Sequence, residues 1–125
     1  MANWGTAFEG QKYLNLETFR RSGEGVRTPI WFAAAPDGTL YVYTLVQSGK
    51  VKRIRRSSQV RIAPCNMRGR VTGPWFGATA ALVSGAEFDL GMASINRKYR
   101  PLKLFLDLGS LLSRRKRAVI ALKPS

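Results

Sequence analysis

Apolar and polar positions alternate through most of this chain, and the alternation predicts strands. From Tyr13 to Phe19, Leu14, Leu16 and Thr18 share one face, the pattern of a half-buried strand. Ser22 to Gly25 supplies a turn. A second strand follows over Val26–Ala34 and carries Arg27, Thr28, Pro29, Ile30 and Trp31. Pro29 has no amide hydrogen to give a ladder, so it marks an edge or a bulge. Pro36, Asp37 and Gly38 form a hairpin loop into a third strand, Leu40–Thr44. Counting outward from that loop sets Ile30 and Trp31 near Tyr41–Tyr43, and Thr28 near Thr44 and Leu45.

After the turn of Gln47, Ser48 and Gly49 the period changes. Val51 and Ile54 lie three apart among cations, which predicts a short basic helix from Lys50. Ser48 is its expected N-cap, leaving the amides of Lys50 and Val51 pointing back at the turn. Val60 and Ile62 face inward in a strand from Gln59 to Cys65, and Met67 to Arg70 is the turn out of it. The small residues Gly77, Ala78, Ala80 and Ala81 predict a strand within Pro74–Val83 packed closely on both faces. Ser84 and Glu87 match a capping box. It opens a helix with Phe88, Met92, Ile95 and Tyr99 on one side. Leu104, Leu108, Leu111 and Leu112 predict a second amphipathic helix over 101–112, followed by the charge run Arg114 to Arg117. Ala118 to Leu122 is the last strand, and residues before Tyr13 form a short helix or an arm. About six strands, adjacent in sequence, with short flanking helices predict one mainly β domain over residues 1–125, a mostly antiparallel barrel.

Composition narrows the function. The chain has 125 residues, a net charge of +14, one cysteine and no histidine. Such a charge steers anionic partners toward the protein. One cysteine permits no internal disulfide, which fits a reducing, cytoplasmic setting. The missing histidine argues against a metal site and removes the commonest general base. The pattern of a signal peptide is not recognised, and no apolar run reaches the roughly 20 residues of a membrane span.

The strand–turn–helix from Leu40 to Arg56 is the strongest chemical signal. A capped helix start offers amide donors and the positive end of the helix dipole, Gly49 permits close approach, and Lys50 adds a charge. These suit a phosphate. With the hairpin register above, Arg27, Thr28, Thr44, Ser48 and Lys50 would gather in one pocket. The turn is too short for a Walker loop. Trp31, Trp75 and Tyr43 could flank a planar ring or serve the core. Cys65, with no nearby base in sequence, reads as a packed strand residue. Lack of an acid–base pair does not exclude catalysis, because a redox coenzyme can supply the difficult step.

Several segments together resemble one family. Tyr13, Leu14, Leu16 and Thr18 to Arg21, then Thr28 to Trp31, then Thr44 with Ser48 to Arg55, then Val60 to Cys65, then Arg97 to Tyr99, are similar to the deazaflavin-dependent branch of the pyridoxamine-phosphate-oxidase-like proteins. The resemblance covers nearly the whole chain. It implies a split β-barrel that forms a homodimer, with a deazaflavin (coenzyme F420) or FMN in a groove between subunits. It implies that Arg27, Thr28 and Pro29 lie along the coenzyme, that Ile30 and Trp31 sit near its ring, and that Thr44, Ser48, Gly49 and Lys50 receive its phosphate. The acidic glutamate tail of the deazaflavin suits the surplus of cations. True pyridoxamine-phosphate oxidases use a C-terminal Arg and His for substrate, so the missing histidine sets this chain apart from them. The expected activity is hydride transfer to a small organic substrate. A non-catalytic coenzyme carrier is the alternative. Nucleic-acid binding through Lys50–Arg56 and Arg114–Arg117 is disfavoured, since cations and aromatics fall on different elements.

Overall fold

The structure is a computed structural model that describes residues 4–99 and 117–125. The leucine-rich segment over 101–112 and Arg114 to Lys116 lie outside the described residues. The chain runs α1 (Trp4–Phe8), β1 (Tyr13–Phe19), β2 (Gly25–Ala34), β3 (Leu40–Leu45), α2 (Gly49–Arg56), β4 (Gln59–Cys65), β5 (Phe76–Val83), α3 (Gly85–Lys98) and β6 (Arg117–Pro124). The strands close into an antiparallel barrel in the order β1-β2-β3-β6-β5-β4, with β4 returning to β1. The expected mainly β barrel with short flanking helices is therefore the observed fold.

Period-two alternation sorts the side chains into two clusters. Leu14, Leu16, Phe32, Leu40, Val42, Val60, Ile62, Ile120 and Leu122 fill the barrel. Each such side chain contributes roughly 1.5–3 kcal/mol on burial. The helices α1 and α2 supply Phe8, and Val51 with Ile54, to the same core. The second cluster lies outside the sheet. There Ile95, Phe88 and Met92 of α3, with Tyr99 at its C-cap, cover Ala33, Tyr41, Val119 and Ala121, as the helical spacing predicts. Gly91 makes this approach possible, since a Cβ there would stand 2.7 Å from Val119 Cγ1.

Three local expectations need correction. The half-buried strand Tyr13–Phe19 is buried on both faces from Leu14 to Thr18, because its outward Asn15 and Glu17 are covered by neighbouring side chains. Strand β5 shows the reverse. Ala78 and Ala80 are buried but Gly77 and Ala81 are exposed, so small residues here do not mark close packing on both faces. Finally, Ser84 is the N-cap of α3 but makes no side-chain cap bond, and Glu87 instead accepts from the Tyr41 hydroxyl at 3.2 Å.

The hairpin loop forms as expected, with Gly38 at φ 90° and the Thr39 amide donating to Asp37 Oδ1. The β2–β3 ladder, however, runs only from Ala34↔Leu40 to Phe32↔Val42. Beyond it, β2 continues to Gly25 paired with β1 alone, and β3 continues to Leu45 paired with β6 alone. The barrel is thus split between the first half of β2 and the end of β3. Pro29 stands in that unpaired half, the edge expected of it.

Candidate functional site

The split opens beside α2. Ser48 is the N-cap of this helix, and its Oγ accepts from the Val51 amide at 3.4 Å. The cap is as expected, but it consumes the Val51 donor, so Val51 is not available to a ligand. The amides of Gly49 and Lys50 have no bond among the described residues. The first turn of α2 contains no acidic residue.

Two cations join those amides. Lys50 Nζ donates to Thr44 Oγ1 at 3.2 Å, which holds the ammonium back across the helix start. Burial, and then the charge of Arg53, push the Lys50 pKa below its ordinary value. Arg53 lies one turn on, and its Nη1 would stand 2.8 Å from a Cβ placed on Gly49. The guanidinium thus lies against Gly49 at the mouth of the helix. Arg53 Nε donates to Thr18 Oγ1 at 2.6 Å. Neither cation has a carboxylate partner among the described residues. Two unneutralised charges beside open amides favour an anion. Arg53 was not among the residues expected at this site. Its position three residues after Lys50, on the same helical face, was the signal available.

Thr28 shares the barrel-facing side of β2 with Ile30 and Phe32, and Ile30 packs on the barrel core. Thr18, Thr28 and Thr44 therefore stand on the inward faces of β1, β2 and β3 at the mouth closed by α2. The counted register does not bring Thr28 to Thr44 by pairing, because the ladder has already ended at Phe32↔Val42. The structure gathers Thr44, Ser48, Gly49 and Lys50, and sets Arg27 elsewhere.

Arg27, Pro29 and Trp31 occupy the outward side of β2. The indole of Trp31 stacks on Tyr99 with centroids 5.1 Å apart and planes 11° from parallel. Pro29 is exposed beside the turn at Gly69, whose carbonyl accepts from Asn15 Nδ2 at 2.9 Å. Tyr43 packs in the outer cluster, with the Arg117 guanidinium 5.3 Å from its ring centroid. Arg27 Nε donates to Glu17 Oε2 at 2.9 Å, and Arg61 Nε to Glu17 Oε1 at 2.6 Å. Both guanidinium carbons lie over the Trp75 ring, at 4.7 and 4.8 Å from its centroid. Burial pushes the Glu17 carboxyl up, but hydrogen bonds and charge from Arg61 and Arg27 outweigh it, leaving the pKa below its ordinary 4.5.

Cys65 is buried, and burial pushes its thiol pKa up, which suits the packed role expected of it. Among the described residues no group of three or more His, Cys, Asp or Glu could hold a metal, and no helix is long and apolar enough to cross a membrane.

No family model and no curated protein matches this chain. Solved structures do match. A heme-binding protein from Mycobacterium smegmatis aligns at a TM-score of 0.73 and 12% identity, over 98% of this chain and 50% of its own. This chain thus spans half the length of that protein. An FAD-binding protein from Mesorhizobium loti aligns at 0.68 and 12% identity, over 96% of this chain and 86% of its own. A candidate pyridoxamine 5'-phosphate oxidase from Listeria innocua aligns at 0.60 and 14% identity, over 96% and 89%. At these identities the likeness shows the fold alone, a split β-barrel shared with these proteins. The deazaflavin branch is not distinguished by it.

Proposed function

We propose that this chain is an oxidoreductase that binds a deazaflavin (coenzyme F420), with FMN as the alternative, and transfers hydride to a small organic substrate. The observation that carries this reading is the start of α2. There, two open amides, Lys50 and Arg53 meet at the split of the barrel with no carboxylate among the described residues to neutralise them. Charge-assisted hydrogen bonds of this kind contribute roughly 1.5–3 kcal/mol each, so two or three suffice to hold a phosphate.

The coenzyme, when bound, supplies the hydride chemistry; the chain's own residues bind and orient. Gly49 and Lys50 donate their amides, Lys50 and Arg53 their charges, and Thr44 fixes the Lys50 ammonium. Thr28, Pro29 and Ile30 line the unpaired half of β2, where the ring would lie, and Arg27, Trp31 and Tyr43 stand on the outward side of the same strands. The fold shared with an FAD-binding protein supports a flavin-type ligand. The chain has no histidine, so a heme held by imidazole, as a reading suggested by the mycobacterial neighbour, is disfavoured. A homodimer completing the groove, and a cytoplasmic setting, belong to the same proposal.

Titration of the purified protein with coenzyme F420 and with FMN, followed by fluorescence, tests it. Binding tighter than about 100 µM, equivalent to roughly 5.5 kcal/mol, is expected for at least one of them. Failure of both to bind refutes the reading. Coenzyme oxidation above the no-protein control, across a panel of unsaturated and oxidised substrates, separates an enzyme from a carrier.

A further inference from the structure

A second cavity lies away from α2. Strand β3 starts just after the hairpin loop at Gly38 and ends just before α2, so the loop and α2 stand at opposite ends of it. Beside the loop is a cleft of about 500 Å³. Its walls are Trp4 of α1, the loop itself from Asp37 to Thr39, and Lys123 with Pro124 at the end of β6. That volume falls within the range of small-molecule sites.

The walls are fixed by hydrogen bonds. Trp4 Nε1 donates to the Gly38 carbonyl at 3.1 Å, which ties α1 to the loop. The same indole meets the rings of Phe8 and Phe76 edge to face, with centroids 5.7 and 6.1 Å away. The loop closes on itself, since the Ala35 amide donates to the Thr39 carbonyl and the Gly38 amide to the Ala35 carbonyl. Asp37 Oδ1 accepts from the Thr39 amide at 3.0 Å. The Thr39 amide and hydroxyl hold the Asp37 carboxyl below its ordinary 3.8, and the charge of Lys123 adds to them. A site built in advance loses little freedom when a ligand enters.

The cleft carries one charge of each sign. Asp37 and Lys123 are near enough to act on one another, yet no ion pair joins them. A ligand with a single charge is drawn to one of them and repelled by the other. A ligand with both charges satisfies both, provided that its ends are ordered to match. The indole and Pro124 add apolar surface between them.

We propose that this cleft binds a small apolar zwitterion, an α-amino acid with an apolar side chain. Its ammonium faces Asp37, its carboxylate faces Lys123, and its side chain lies against Trp4 and Pro124. The site shares no residue with the mouth at α2, so its failure leaves the coenzyme reading standing.

Isothermal titration calorimetry with L-phenylalanine, phenethylamine, 3-phenylpropionate and glycine tests it. L-phenylalanine is expected to bind wild type with a Kd of about 1 mM or tighter. The amine, the acid and glycine each lack one of the three contacts and should bind about 5-fold more weakly or worse. Asp37→Asn keeps an acceptor for the Thr39 amide but removes the charge, and Lys123→Gln removes the other. Each should weaken L-phenylalanine about 5-fold. Lys52→Gln, the same loss of charge on α2, should leave its affinity unchanged. Thermal melts establish that each variant folds. No binding of L-phenylalanine to wild type overturns the proposal. So does equal binding of any of the three partial ligands, unchanged affinity in Asp37→Asn or Lys123→Gln, or a loss in Lys52→Gln equal to that in Lys123→Gln.

Discussion

Replacing Glu17 by Gln removes the one charge that holds Arg27 and Arg61 together. The carboxylate is largely buried, with 6% of its side chain exposed, and accepts two charge-assisted bonds at 2.9 and 2.6 Å. Each such bond is worth roughly 1.5–3 kcal/mol when dry. Both guanidiniums here are about half in solvent, so screening reduces each to about 1 kcal/mol. The glutamine amide can still accept, but its NH2 faces one guanidinium, and the two arginines then repel without a mediator. A net loss of about 2 kcal/mol follows, which for a domain of this length lowers Tm by about 8 °C. The pH dependence sharpens the test. The Glu17 pKa is held below 4.5 in the folded state, so its stabilisation is present above that value and is lost as pH falls through the lower folded value. Wild type and Glu17→Gln should therefore differ most near neutrality and converge in acid. Calorimetric or circular-dichroism melts from about pH 7 downward read both effects. A variant that melts within 2 °C of wild type at about pH 7, or a gap that stays constant into acid, would refute this account of the ion pairs.

Four other outcomes follow from the geometry. Lys50→Ala should weaken phosphate-bearing coenzyme about 10-fold, one charge-assisted bond, in the same fluorescence titration. Gly91→Ala forces a Cβ to within 2.7 Å of Val119 and 3.0 Å of the Tyr41 ring, so α3 must shift; urea unfolding should show a loss of about 1–3 kcal/mol. Tyr99→Phe removes the hydroxyl that accepts from the Phe32 amide and meets the Phe32 and Lys12 carbonyls; it should cost about 1–3 kcal/mol by the same measurement. Burial pushes Lys98 from 10.5 down to about 8, so the unfolded chain binds more protons between those values and stability should rise with pH across that window; Lys98→Met should flatten the rise.

The strands were legible wherever alternation reports a sheet with one buried side. Leu14 and Leu16, Leu40 and Val42, and Val60 and Ile62 announce their own faces. The Ser48 cap was legible because capping is local, involving Ser48 and Val51 only. What could not be read was non-local. Glu17 meets Arg61 across 44 positions, and no local pattern marks a glutamate on the outward side of an alternating strand as the centre of two arginines. The capping box failed for the same reason. A tertiary partner, Tyr41, lies 46 positions away and takes the Glu87 carboxylate that a local rule assigns to the helix start. The small residues of β5 were misread because they record how little space a side chain takes, not whether anything lies opposite. For the candidate site, the turn proposed to receive a phosphate was visible as a contiguous segment. The separation of Arg27 from it depends on where the β2–β3 ladder stops, which only the closed barrel decides.

The early end of that ladder also bears on solubility. From Gly25 to Trp31, β2 presents main-chain amides and carbonyls along a border with no adjoining strand in the described chain. Borders of this kind recruit strands from other molecules and seed aggregation. Pro29 contributes no amide hydrogen to such recruitment, and Arg27 places a charge two residues away. A segment kept open for a ligand would thereby be kept closed to fibril growth.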